Sequence, residues 1–178
     1  MDITLNYFEL FQLPESCDLN TSQLAIRYRE LQRTVHPDRF AGDADRLQRL
    51  SLQYAAYVNE AYTVLKSPLR RYIYLLKLAG REVDMEHNTI MDCAFLEEQM
   101  ALRESVSEVR NQPQPEAAHQ QLVASVDESL DTLGQRFSEL WAQGDTQALE
   151  QAEAVVRKMQ FLVKLADELD QMEAELFH

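Results

Sequence analysis

His36 and Asp38 stand on either side of Pro37 in the stretch Val35-His36-Pro37-Asp38-Arg39-Phe40. An imidazole beside a carboxylate offers the residue types of a general acid–base pair. The remaining parts of an enzyme do not accompany it. No nucleophile has a patterned neighbour, no glycine loop is built to cradle phosphate, and no ligand cluster appears. Cys17 and Cys93 are far apart with no CxxC, and two thiols do not complete a tetrahedral zinc or iron–sulfur site without further donors. They read as buried or idle thiols, and neither a metal nor a cofactor is implied. Proline supplies another reading of the pair. It fixes its own backbone and biases the preceding residue away from the helical region. A helix running into Val35 therefore stops at His36, and His36 and Asp38 flank a stiff bend that presents a polar knob.

The elements that must hold this knob are helical. Only four Gly and five Pro occur in 178 residues, while Ala, Leu, Glu and Gln are plentiful, so an all-α chain is expected. Asn20 opens one helix, with Gln23 in capping-box spacing. Leu24, Tyr28, Leu31 and Val35 then fall within about 60° on a helical wheel. Ile26, Arg29 and Arg33 lie on the opposite side, with Arg27 on a flank, so a positive face runs toward His36. Such a face suits electrostatic docking. Past Phe40, Ala41-Gly42-Asp43 makes a turn. A second helix to about Lys66 carries Leu47, Leu50, Tyr54, Tyr57, Val58, Ala61, Val64 and Leu65 as its apolar stripe. Two helices joined by a short stiff loop pack as an antiparallel hairpin. A brief apolar opening, Leu5 to Leu13, precedes them. A helix capped by Ser67-Pro68 and ending at Gly80 follows.

The charge of −13 is unevenly spread. Residues 1–80 carry ten Lys and Arg against nine Asp and Glu, and residues 81–178 carry seven against twenty-one. This asymmetry predicts two modules with different partners. It argues against nucleic-acid binding by the second, which has no basic face to meet phosphates. No segment is apolar and long enough to span a bilayer. The start, Met1-Asp2-Ile3-Thr4-Leu5, lacks the basic-then-apolar pattern of a secretory signal, so the expected compartment is the cytoplasm.

After a link over Arg81 to Thr89, three long helical patterns predict an antiparallel three-helix bundle. In the first, Phe95, Leu102, Val106 and Val109 share a core stripe with Gln99 beside them. Leu96 and Met100 lie about 100° and 140° away from Phe95, beside Glu97, Glu104 and Glu108. Asn111-Gln112-Pro113-Gln114-Pro115 breaks that helix. The second carries Leu122, Val126, Leu130, Leu133, Phe137, Leu140 and Trp141 and ends at Gly144-Asp145. The third carries Val155, Met159, Leu162, Ala166 and Leu169, with Phe161 about 100° from Leu162.

His36-Pro37-Asp38 between two amphipathic helices resembles the signature of a J-domain, and Asn59-Glu60-Ala61-Tyr62 and Pro68-Leu69-Arg70-Arg71-Tyr72 strengthen the likeness. The resemblance implies docking on the ATP form of an Hsp70 chaperone through Arg27, Arg29 and Arg33. It also implies triggering of that chaperone's ATPase by His36, Pro37 and Asp38, with Asp38 the partner of an Hsp70 arginine. There is no Gly/Phe-rich linker and no CxxCxGxG repeat, which sets the chain apart from a general-purpose J-protein for unfolded clients.

A J-domain ahead of an acidic three-helix bundle resembles the HscB family of co-chaperones for iron–sulfur cluster assembly. Asp92-Cys93-Ala94-Phe95-Leu96-Glu97-Glu98-Gln99-Met100 and Val156-Arg157-Lys158-Met159-Gln160-Phe161-Leu162 carry this likeness. It implies a division into a J-domain over 1–80, a linker over 81–91 and a client-binding bundle over 92–178. The implied partners are the scaffold protein IscU and the specialised Hsp70 HscA. The implied scaffold-binding residues are Leu96, Met100, Glu104, Glu108 and Phe161. Ala101 stands where relatives often carry an acidic residue, and Glu97 where they often carry an apolar one.

Overall fold

A computed structural model describes residues 4–35, 45–83 and 93–177. Among these residues every regular element is a helix. The chain divides into two compact units, Met1–Ala79 and Gly80–His178.

The first unit begins with α1 (Tyr7–Leu10), one turn held by a capping box: the Asn6 side chain accepts from the Glu9 N–H, and the Glu9 carboxylate accepts from the Asn6 N–H. Phe8 and Phe11 are almost wholly buried. Tyr7 stacks on Tyr74, with ring centroids 4.3 Å apart. Its hydroxyl donates to Glu60 at 3.0 Å, and its backbone N–H donates to the Tyr74 hydroxyl. The opening segment is thereby pinned to two later helices.

Those helices are α3 (Asp45–Lys66) and α4 (Pro68–Leu78), preceded by α2 (Thr21–Val35). Asn20 caps α2, its side-chain oxygen accepting from the Gln23 N–H at 3.0 Å. Ser67 caps α4, with Pro68 in the first turn. The α2–α3 hairpin is antiparallel. Tyr28 stacks on Tyr62 at 4.0 Å and its hydroxyl donates to Asn59.

That register corrects the expected stripe of α3. The buried residues are Ser51, Tyr54, Val58, Ala61 and Leu65, whereas Leu47 and Leu50 are 47% and 44% exposed. With Tyr28 opposite Asn59 and Tyr62, the end of α2 at Val35 lies level with roughly Gln53 and Tyr54 at the usual helical rise. The first turns of α3 thus lie past the end of α2. Ser51, small and polar, is buried where the helical period alone favoured Leu50.

One buried charge organises the unit. Arg71 is 5% exposed, and its guanidinium donates to the Cys17 carbonyl at 3.0 Å and to the Leu65 carbonyl at 2.7 Å. It joins the loop before α2 to the end of α3. A buried Arg is tolerated because these carbonyls replace water as acceptors.

The second unit is an up-down-up bundle of α5 (Cys93–Glu108), α6 (Pro115–Gln143) and α7 (Thr146–Phe177), with a 3₁₀ turn over Val109–Asn111. Gly144 takes φ +68°, the left-handed conformation glycine adopts without penalty. Asp145 then caps α7, accepting from the Ala148 N–H at 2.8 Å. This two-residue corner folds α6 against α7. Val106, Val126, Leu162, Leu165 and Leu169 form the central cluster. His119 is buried and its Nε2 lies 2.9 Å from the Leu169 carbonyl. Arg81 pairs with Glu153 at 2.6 Å and Glu150 at 3.6 Å, so the chain at Arg81 is held at the start of α7.

Candidate functional site

The expected trigger, His36-Pro37-Asp38, lies outside the described residues. The helix leading to it is described up to Val35. On α2, Arg27, Arg29 and Arg33 are all exposed. Arg27 pairs with Glu30 at 3.2 Å, an exposed i,i+3 contact of little energetic weight. Arg29 donates back to the Ala25 carbonyl of its own helix. The basic face also carries Ile26, 49% exposed, so an apolar side chain sits among the positive ones. Tyr28 and Leu31 turn inward and are partly buried, leaving the arginines toward solvent.

In the second unit, α5 places Leu96 and Met100 on the surface, 39% and 73% exposed. Glu97, Glu104 and Glu108 are exposed as well. Phe161 of α7 is half-buried. Its ring meets Phe95 edge-on at 6.0 Å and packs against the central cluster. It is therefore an anchor at the α5–α7 seam rather than a freely projecting ring.

Glu108 lies apart from that seam. It lines a groove between α5 and α6 with Ser105, Gln112, Gln121 and Ser125. Glu104 is exposed and lines neither feature. The expected residues are thus spread around α5, with Glu108 on the α6 side and Phe161 at the α7 seam through Phe95.

Sequence reasoning missed Arg103, whose guanidinium lies over the Phe161 ring, 5.7 Å from its centroid. It is three residues beyond Met100 and seven beyond Leu96, a spacing that places all three on one helix face. Lys158 lies likewise over Phe95 at 5.1 Å. Among the described residues no group of His, Cys, Asp or Glu is arranged to hold a metal, and no helix is long and apolar enough to cross a membrane.

Known proteins resemble this chain over nearly its whole length. Residues 91–170 match the family model described as the HSCB C-terminal oligomerisation domain. The chain is 41% identical over 172 residues to the co-chaperone protein HscB homolog of Shewanella baltica strain OS195, covering 97% of this chain and 99% of that protein. It is 39% identical over 173 residues to the homolog of Shewanella loihica, covering 97% and 100%. Chaperone HscB from Vibrio cholerae superposes with a TM-score of 0.88 at 37% identity, over 97% of this chain and 100% of that one. Human co-chaperone protein HscB gives 0.90 at 31% identity, over 99% and 86%. An all-α hairpin unit followed by a three-helix unit is, in these relatives, the architecture of a co-chaperone. The chain belongs to the HscB family.

Proposed function

We propose that this protein is a cytoplasmic adaptor without enzymatic activity of its own, which brings the scaffold protein IscU to the Hsp70 HscA in iron–sulfur cluster assembly. Residues 1–80 serve as the J-domain, 81–91 as the linker and 92–178 as the client-binding bundle. Arg27, Arg29 and Arg33 dock on acidic surface of the Hsp70. His36, Pro37 and Asp38 trigger its ATP hydrolysis, with Asp38 the partner of an arginine of the chaperone. Leu96, Met100, Glu104, Glu108 and Phe161 contribute to scaffold binding. Each unit holds one partner, so the client reaches the chaperone at a raised effective concentration.

The observation that carries this reading is the chain-long likeness to HscB relatives combined with His36-Pro37-Asp38 directly after an exposed arginine-bearing helix. Steady-state ATPase of HscA with and without this protein and IscU tests it. The wild type should stimulate, and more so with IscU. His36→Gln should abolish stimulation and leave IscU binding intact. Unchanged stimulation by that variant would sink the trigger assignment. Equal stimulation with any unfolded polypeptide in place of IscU would make this a general co-chaperone instead.

A further inference from the structure

Arg103 stands out among the arginines of a strongly acidic unit. Arg81, Arg110, Arg136 and Arg157 each have a carboxylate within ion-pair distance. Arg103 has none among the described residues, nor a hydrogen bond there, and lies instead over the ring of Phe161. Measured around α5 from the core residue Phe95, Arg103, Leu96 and Met100 fall at about 80°, 100° and 140°. Glu104, Glu97 and Glu108 follow at about 180°, 200° and 220°. The exposed apolar pair therefore has a cation on one flank and carboxylates on the other.

We infer that Arg103 is a specificity-determining residue of this face, taking a carboxylate of the docked scaffold protein and so fixing the orientation in which the scaffold lies across Leu96 and Met100. The inference rests on the client-binding role proposed above for this face. A guanidinium lying over a ring with no hydrogen bond of its own keeps its N–H groups available, and they match a carboxylate in a two-pronged arrangement. The ring also restricts the long side chain before the partner arrives, which lessens the ordering cost on binding. A partner with an acidic group at one edge of its apolar contact and basic groups at the other fits in one direction only. The reversed orientation would place like charges together.

Titration calorimetry of the full chain with IscU at about 0.05 M and about 0.5 M salt tests this. Met100→Ala reports on the face itself and should weaken binding about tenfold or more. Arg103→Gln, at an exposed position, should weaken binding about tenfold at low salt, and the difference from wild type should shrink at high salt. Arg103→Lys should recover part of the loss, and Arg103→Glu should bind more weakly than Arg103→Gln. If Met100→Ala weakens binding while Arg103→Gln binds like wild type, the role of Arg103 is overturned and the face stands. A loss for Arg103→Gln that is the same at both salts would also overturn it, leaving Arg103 a packing residue. If Met100→Ala binds unchanged, the face is wrong and the inference falls with it.

Discussion

Phe161 meets the buried Phe95 edge-on, with ring planes at 87°, so one of the residues proposed for client binding also packs against the bundle's core. Edge-to-face aromatic pairs add to the burial of each ring. Met100, 73% exposed on the neighbouring helix, has no such double duty. The two residues can therefore be told apart by stability as well as by affinity.

Phe161→Ala should lower the unfolding free energy by about 2–3 kcal/mol, below the range for a fully buried ring because Phe161 is only partly buried. Met100→Ala should stay within about 0.5 kcal/mol of wild type. Trp141, the single tryptophan, lies in the second unit, so its fluorescence in urea follows this transition. Equal, small effects of both substitutions would mean that the Phe95–Phe161 contact contributes nothing. Loss of client binding by Phe161→Ala is informative only after that comparison.

Arg71 should be the most sensitive polar position of the first unit. Arg71→Met roughly conserves volume but leaves the Cys17 and Leu65 carbonyls without their donor, at a cost of about 2–4 kcal/mol. All seven tyrosines belong to residues 1–79, so near-ultraviolet circular dichroism of tyrosine in urea follows that unit. The Trp141 transition should stay where it was. A shift of both would show that the two units unfold together.

Tyr7 gives an alkaline signature. Burial foremost, then the hydrogen bond to Glu60 and its negative charge, hold the Tyr7 phenol well above its ordinary value. The folded state therefore keeps a proton that the unfolded chain releases near pH 10. Its contribution to stability is complete below about pH 10 and is lost as the pH rises beyond it. Tyr72 and Tyr74 are raised as well, each chiefly by burial. Tyr7→Phe should thus flatten the alkaline fall in the urea midpoint without removing it. An unchanged slope above about pH 10 would show that Tyr7 does not contribute.

Much of the helical plan was legible because its punctuation is local. Asn20, Ser67-Pro68 and Gly144-Asp145 each act through backbone groups a few residues away. Partners brought from afar were harder to see. Leu47 and Leu50 keep the period of a buried stripe, yet the register of α2 ends before it reaches them, a fact set by Tyr28 meeting Tyr62. Arg71 reads as an ordinary charged residue until the carbonyls of Cys17 and Leu65 converge on it from 54 and 6 residues away. Leu96 and Met100 stood out as apolar positions off the core stripe. Arg103 on the same face did not, because its distinction depends on a ring from another helix and on the pairing of the other arginines.

The Gly144-Asp145 corner also bears on the order in which the second unit assembles. It joins α6 to α7 through a two-residue turn, so their long shared seam can close by local zippering with little loop entropy to overcome. Helix α5 has no such head start. It is short, and it reaches the hairpin through Phe95, Leu102 and Val106 across the break at Pro113 and Pro115. The helix carrying Leu96, Met100 and Arg103 should therefore be the last of the three to dock and the first to open. Amide hydrogen exchange in the native protein should be fastest along α5 and slowest in the middle of α6 and α7. Uniform protection across all three would contradict this order. In the expected order α5 is a detachable part laid on a stable hairpin, and the partner proposed for its face would complete its ordering.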